Sequence, residues 1–194
     1  MEENLMMMWI VLGVVVVAVL WVISSYNNLI SLKNQTLNGW KQIDIQLKRR
    51  HDLIPNLIET VKGVMKFEQS TFTQVIEARN KAIAAQGAGI AQQSVQENAL
   101  SGSLRQMFAL FENYPNLKSN ENVSKLQEEL SSTENKISFA RQFYNDIATQ
   151  FNIAQQSFPT NMIANNFGFK PAELFEITDA ADKEVPKVDL NFNK

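Results

Sequence analysis

An uncharged run of 19 residues near the N-terminus, Leu5–Ile23, constrains this chain more than any other feature. As an α-helix, the run spans roughly 28 Å, close to the ~30 Å hydrocarbon core of a bilayer. Trp9 and Trp21 lie near its two ends and Tyr26 lies just beyond it, as in the aromatic belts of membrane proteins. The run therefore predicts one retained transmembrane helix, with the lipid bilayer as its partner.

Two other interpretations of the run are weaker. A cleaved signal peptide is disfavoured because no basic residues precede the run and no small-x-small cleavage site follows it. A buried core helix is disfavoured because the run is apolar on all sides. Glu2 and Glu3 precede the run, whereas Lys33 and Lys41 follow it, so the positive-inside rule favours an outside N-terminus and a cytoplasmic domain.

The amino-acid composition limits the kinds of site and partner that the residues after the apolar run can have. They suffice for one domain of about 170 residues. The 18 Lys and Arg nearly balance the 20 Asp and Glu, so no strong field favours nucleic acid as a partner. With no cysteine and one histidine, the chain lacks disulfides, thiolate metal sites and cysteine nucleophiles, and a structural zinc site is disfavoured. We expect no metal and no cofactor.

Four amphipathic segments follow the apolar run, and sparse Gly and Pro leave them long. Their predicted bounds are Ser24 to about Arg50, about Asp52–Ala85, about Ala91–Glu112 and about Glu121–Ser157. Short connections imply antiparallel neighbours, so the predicted fold is all-α, with the transmembrane helix followed by an antiparallel four-helix bundle. After the bundle we expect a short helix around Asn161–Asn166, an aromatic turn at Phe167-Gly168-Phe169 and an extended acidic tail.

The predicted domains are residues 1–23 for the N-terminal tail and transmembrane helix, 24–176 for the bundle and 177–194 for the extended tail. The core-facing positions follow from helical spacing. On the third segment they are Val95, Leu100, Leu104, Met107, Phe108 and Phe111. On the fourth they are Leu126, Leu130, Thr133, Ile137, Ala140, Tyr144, Ile147, Phe151, Ala154 and Phe158.

The basic cluster Lys48-Arg49-Arg50 suits the last turn of the first bundle helix, where cations complement the helix dipole. Asp52 is then placed to cap the second helix, with Pro55 in its first turn. A continuous helix kinked at Pro55 is the alternative, and the sequence leaves it open. Helix rise places the cluster roughly 40 Å from the membrane end, beyond the reach of the lipid surface potential. Lys48, Arg49 and His51 are therefore candidates for a partner-facing tip.

Charged residues also fall on or beside the predicted core-facing stripes. Buried charges persist only when they are paired. We therefore expect a structural network of inter-helix pairs among Arg50, Glu68, Arg79, Glu134 and Arg141, with a ligand-binding polar pocket and simple surface placement as the alternatives.

The same stretches carry a family resemblance. The motifs are Trp40, Ile43-Asp44, Gln46-Leu47-Lys48-Arg49-Arg50, Asp52-Leu53-Ile54-Pro55-Asn56-Leu57, Glu59-Thr60-Val61-Lys62-Gly63, Ala78-Arg79, Leu126-Gln127-Glu128-Glu129-Leu130, Thr133-Glu134-Asn135-Lys136-Ile137, Ala140-Arg141, Tyr144-Asn145, Phe151-Asn152, Phe158-Pro159, Gly168-Phe169 and Phe175-Glu176. Together they resemble the signature of the LemA family over nearly the whole chain. The resemblance implies a bacterial single-pass membrane protein with an antiparallel helical bundle, and it supplies no activity.

No residue set in the sequence points to catalysis. His51 has no nucleophile beside it and falls at a predicted turn, so we expect a capping or solvent-exposed role rather than that of a general base. Gly87-Ala88-Gly89 lacks the Lys-Ser/Thr of a phosphate loop.

The favoured hypothesis is a non-catalytic, membrane-tethered interaction or scaffolding module that binds unidentified proteins. A self-assembling, membrane-shaping homo-oligomer is the second. The third, an enzyme with a buried carboxylate–arginine site, is the weakest.

Overall fold

The fold is all-α in a computed structural model of the protein, which describes residues 1–63, 68–118 and 120–175. Its helices are α1 (Glu2–Lys62), α2 (Gln69–Ala84), α3 (Ile90–Phe111), α4 (Pro115–Lys118), α5 (Glu121–Gln156) and α6 (Thr160–Asn166). No strand occurs in these described ranges. The all-α class and the long apolar N-terminal helix are thus confirmed, and the predicted tail 177–194 lies outside the described residues.

The apolar run forms the first third of α1. Its most apolar 18-residue window has a mean hydropathy of 2.8, and none of that window is buried inside the protein. This part of α1 is therefore long and apolar enough to cross a membrane, and it does not contribute to a protein core. Beyond Ile23 the same helix continues and acquires buried residues, including Leu29, Ile43 and Leu47.

The predicted helix break near His51 is wrong. Helix α1 runs through Pro55 and ends at Lys62, so the alternative of a continuous helix is correct. Lys48-Arg49-Arg50 is consequently not a last turn, Asp52 is not a cap, and about 18 Å of helix lies beyond Arg50. The predicted second helix corresponds to the end of α1 plus α2, and Glu68 precedes α2 rather than lying on a helical stripe.

The contacts divide the chain into two compact units. Unit 1 comprises Met1–Ile45 and Lys136–Leu174, and unit 2 comprises Gln46–Asn135 with Phe175. Helix α1 contributes its first part to unit 1 and its last part to unit 2, whereas α5 contributes its first part to unit 2 and its last part to unit 1.

Unit 1 pairs α1 with α5 and adds α6. Leu29, Phe151, Ile163 and Ala164 form one buried cluster, and the Tyr144 ring packs edge-on against Trp40 at 5.5 Å between centroids. Contacts that join early α1 residues to late α5 residues make the two helices antiparallel in this unit. At Gly39 an added Cβ would lie 3.4 Å from the Tyr144 Cα, so glycine allows the two backbones to approach closely.

Tyr144 also connects α5 to the chain that follows α6. Its hydroxyl donates to the Glu173 carbonyl oxygen at 2.6 Å. Burial, with a smaller contribution from the Glu173 charge, raises the pKa of the phenol to about 12.

Tyr144→Phe is expected to lower the free energy of unfolding by about 1 kcal/mol, because it removes this hydrogen bond and keeps the ring. Thermal unfolding of the full chain in a mild detergent measures the change. Tyr26→Phe offers a tyrosine control in the same unit, and an equal effect of the two substitutions would contradict the assigned hydrogen bond.

Unit 2 contains a four-helix core made by the end of α1, α2, α3 and the beginning of α5, joined by Leu117 of α4. Its buried residues are Ile54, Leu57, Ile58, Val61, Phe72, Val75, Ala82, Leu100, Leu104, Met107, Phe111, Leu117, Val123 and Leu130. Two positions predicted to face a core do not do so. Val95 on α3 is exposed, and Phe158 after α5 is 82% exposed.

Candidate functional site: a buried arginine–glutamate cluster

Unit 2 contains a set of interacting polar side chains that we call the polar cluster: the buried Arg50, His51, Glu97 and Ser101, and the partly exposed Glu134. Arg50 on α1 is its centre and is completely buried. Its guanidinium donates to the Glu97 carboxylate at 2.5 Å and to the Ser101 hydroxyl at 2.7 Å. It also pairs with the Glu134 carboxylate from α5. One arginine therefore links three helices through charge-assisted hydrogen bonds.

Ser101 and His51 complete the cluster. The Ser101 hydroxyl donates to the Glu134 carboxylate at 2.9 Å. The Nε2 atom of His51 lies 3.1 Å from one Glu97 carboxylate oxygen, and His51 is itself nearly inaccessible to solvent. The predicted turn or tip position for His51 is thus wrong, because α1 continues through it and turns its ring toward α3.

The electrostatic surroundings keep Glu97 ionised. Burial alone raises the pKa of the carboxyl group, but the hydrogen bond with His51 and the charges of Arg50 and His51 outweigh it. The net pKa lies below the ordinary value of 4.5. A buried carboxylate is thereby stabilised in its charged form by its partners.

Acid is expected to lower the stability of unit 2 because it protonates the Glu97 carboxylate. Because the folded-state pKa is depressed, its contribution to stability is complete above 4.5 and is lost as the pH falls through the lower folded value. Melting temperatures measured across this acidic range should fall less steeply for Glu97→Gln than for the unaltered chain. The same pH slope in both proteins would contradict the role given to Glu97.

Pro55 leaves a carbonyl of α1 without its usual helical partner. Proline has no N–H, so the carbonyl oxygen of His51, four residues earlier, receives no intrahelical hydrogen bond from it. The Arg79 Nε atom of α2 donates to this oxygen at 2.7 Å. Arg79 thus satisfies a backbone group that the proline frees, instead of pairing with a buried acid.

The remaining predicted charges have separate surroundings. Glu68 accepts a hydrogen bond from the Tyr114 hydroxyl at 3.0 Å, and Arg141 belongs to unit 1. Lys48 and Arg49 are exposed on α1, and Arg49 lies 3.6 Å from Glu129 in a half-exposed ion pair. Of the five residues of the predicted network, the structure places Arg50 and Glu134 in direct contact.

Sequence reasoning missed Glu97 and Ser101. The buried face of α3 is polar in its N-terminal half, where Gln93, Ser94, Glu97 and Ser101 are buried. A search for apolar spacing places Val95 on that face instead. The available signal was the spacing of four from Glu97 to Ser101, and then of three to each of the apolar positions Leu104 and Met107.

The polar cluster joins three helices of unit 2. The side chains of Arg50 and Glu97 are fully buried, whereas that of Glu134 is 42% exposed. Among the described residues no three side chains of His, Cys, Asp or Glu are grouped to hold a metal. A groove of about 330 Å³ runs between α1 and α2 in the same unit, lined by residues such as Ile58, Phe72 and Ile76. No member of the polar cluster lines it.

Comparison with known proteins gives a consistent family assignment. The model of the LemA family matches residues 39–190, well over half of the 194-residue chain. Protein LemA of Metamycoplasma hominis is 26% identical over 167 residues, which cover 85% of this chain and 73% of that protein. Magnetosome protein MamQ 2 of Paramagnetospirillum magneticum is 23% identical over 184 residues, which cover 82% of this chain and 68% of that protein. Magnetosome protein MamQ of Magnetospirillum gryphiswaldense is 21% identical over 184 residues, with the same coverage.

Proposed function

Because the chain belongs to the LemA family, we propose that it is a single-pass membrane protein of bacteria whose helical part is a non-catalytic interaction or scaffolding module. One observation carries this proposal. The exposed apolar run and the buried residues of both units occur on the same uninterrupted helix, α1. A domain connected in this way is held rigidly at the membrane by backbone hydrogen bonds instead of by a flexible linker.

The non-catalytic assignment rests on the polar cluster. Its charged groups pair with one another and with the Ser101 hydroxyl, and the Arg50–Glu97 pair is completely buried. Networks of this kind hold helices in register. The surface that remains for function is the outside of the helices, including the exposed Lys48 and Arg49.

Position-specific photocrosslinking in cells tests whether the helical part binds other proteins. A crosslinking residue at Lys48 is expected to give a reproducible protein adduct that is absent when the residue is placed at the exposed Val95. Equal adduct patterns from both positions, or none from any exposed position of either unit, would argue against an interaction module.

A second candidate function, self-assembly that organises the membrane, is favoured by one surface of α5. Phe139 is 72% exposed and Phe143, one turn later, is half exposed, so the two rings form an apolar stripe on one helix face. Exposed apolar patches on soluble surfaces commonly mark association sites. Two of the relatives compared above are named magnetosome proteins.

Sedimentation of the detergent-purified full chain tests whether the protein self-assembles, as the second candidate function requires. Self-assembly predicts oligomers that dissociate in Phe139→Ser/Phe143→Ser and persist in the control Val95→Ser. A monodisperse monomer at all concentrations would exclude this second function.

A further inference from the structure

The segment from Phe158 to Phe169, which contains α6, exposes apolar side chains that no core position explains. Phe158 is 82% exposed, Met162 is 65% exposed and Phe167 is 56% exposed. Ile163 and Ala164, from the opposite side of α6, are buried against Leu29. The exposed apolar residues are thus Met162 on α6 together with Phe158 and Phe167, which flank the helix on its two sides.

The position of this segment relative to the apolar run is fixed by ring contacts inside unit 1. The Phe167 ring lies 4.8 Å from the Tyr26 ring, and the Phe169 ring lies 5.9 Å from it. Tyr26 is three residues, or about 4.5 Å of helix rise, beyond Ile23. The headgroup layer on each side of the hydrocarbon core is about 5–8 Å thick. With the apolar run in the bilayer, Tyr26 and Phe167 lie at the depth of the headgroups.

The charge pattern of unit 1 fits the same surface. No Asp or Glu occurs between Glu3 and Asp44 or between Asp146 and Glu173, although the chain as a whole contains 20 acidic residues. Lysines do occur in these two stretches: the Lys33 Nζ atom lies 6.0 Å from the Phe169 ring centroid, and Lys170 is exposed. A surface with exposed aromatics, lysines and no carboxylates is complementary to a layer of anionic lipid headgroups.

We propose that the α5–α6 turn and α6 form a second membrane contact, in which Phe158, Met162 and Phe167 insert into the headgroup layer beside the transmembrane helix. The inference rests on the proposed transmembrane anchor and extends it. Aromatic rings at this depth are favoured because one part of the ring is in contact with acyl chains and another with the polar layer. The contact would fix the angle between unit 1 and the bilayer, since two separate parts of the unit then touch the same surface.

Single cysteines with an environment-sensitive fluorophore test the contact, because the natural chain has no cysteine to remove. The full chain is reconstituted into phosphatidylcholine–phosphatidylglycerol vesicles that carry nitroxide quenchers either at the headgroup or deep in the acyl chain. The test positions are Phe158→Cys and Phe167→Cys. Ile45→Cys is the control: it is also an exposed apolar residue of unit 1, but it lies about 33 Å along α1 from Ile23. Val14→Cys reports on the anchor itself.

The inference predicts that labels at 158 and 167 emit at shorter wavelength in vesicles and lose most of their intensity to the headgroup quencher, whereas the label at 45 does neither. If Val14→Cys is quenched by the deep nitroxide but 158 and 167 behave like 45, the second contact is excluded and the anchor stands. If Val14→Cys escapes the deep nitroxide, the anchor fails and the second contact fails with it. A blue shift at 158 and 167 without lipid quenching, growing with the protein-to-lipid ratio, would assign the surface to a second copy of the chain and overturn the proposal.

Discussion

Replacing Arg50 with Met is expected to lower the free energy of unfolding by about 3–5 kcal/mol, because it leaves a buried carboxylate without its cationic partner. Glu97 is fully buried beside Arg50, and water cannot reach it to compensate for the lost charge. The loss is a large fraction of the stability of a typical domain. Thermal or denaturant unfolding of the full chain in a mild detergent, followed by circular dichroism, measures it.

The neighbouring arginine provides the control. Arg49 makes a half-exposed pair with Glu129 at 3.6 Å, and exposed pairs contribute no more than about 1 kcal/mol. Arg49→Met removes the same charge and the same side-chain type one residue earlier on the same helix. A loss for Arg50→Met no larger than that for Arg49→Met would contradict the role of the polar cluster in the fold.

Replacing Arg79 with Met is expected to give the second large decrease in the free energy of unfolding. It removes the hydrogen bond to the His51 carbonyl oxygen and leaves a backbone acceptor without a partner, which costs about 1–3 kcal/mol. The effect should depend on Pro55. In Pro55→Ala the new N–H supplies the intrahelical hydrogen bond, so Arg79→Met is expected to cost less in that background than in the natural sequence.

A double-mutant cycle with the four proteins measures this coupling by unfolding in detergent. The pair Pro55→Ala and Lys81→Met, with Lys81 two positions along α2 and exposed, serves as an uncoupled comparison. Equal costs of Arg79→Met with proline and with alanine at position 55 would show that the arginine does not serve the carbonyl that the proline frees.

The continuation of α1 through Pro55 could be predicted in part from the sequence. Buried positions Leu47, Arg50, Ile54, Leu57 and Val61 recur in steps of three and four across the predicted break, which is the pattern of one continuous helix. Pro55 and the basic cluster favoured a turn because proline ordinarily interrupts a helix. The compensating donor, Arg79, is 24 positions away in the chain, so only the tertiary structure reveals why the proline is tolerated.

Less of the polar cluster could be predicted from the sequence. Arg50 and Glu134 were selected because charges on or beside apolar stripes require partners, and the structure places them in contact. Glu97 was missed because its half of α3 buries polar side chains, and a search for apolar residues alone does not detect their helical spacing. Phe158 was assigned to the core because it continues the α5 stripe, but α5 ends at Gln156 and the spacing no longer applies beyond that point.

The sidedness of two engineered cysteines tests the membrane-spanning anchor most directly. In the cysteine-free natural background, Glu3→Cys and Lys194→Cys are treated with a membrane-impermeant maleimide, first in intact cells and then after permeabilisation. The orientation favoured by the positive-inside rule, with the N-terminus outside, predicts that Glu3→Cys reacts in intact cells and that Lys194→Cys reacts only after permeabilisation. The control Val14→Cys is expected to stay protected in both. Reaction of Glu3→Cys and Lys194→Cys from the same side would contradict a single membrane-spanning helix.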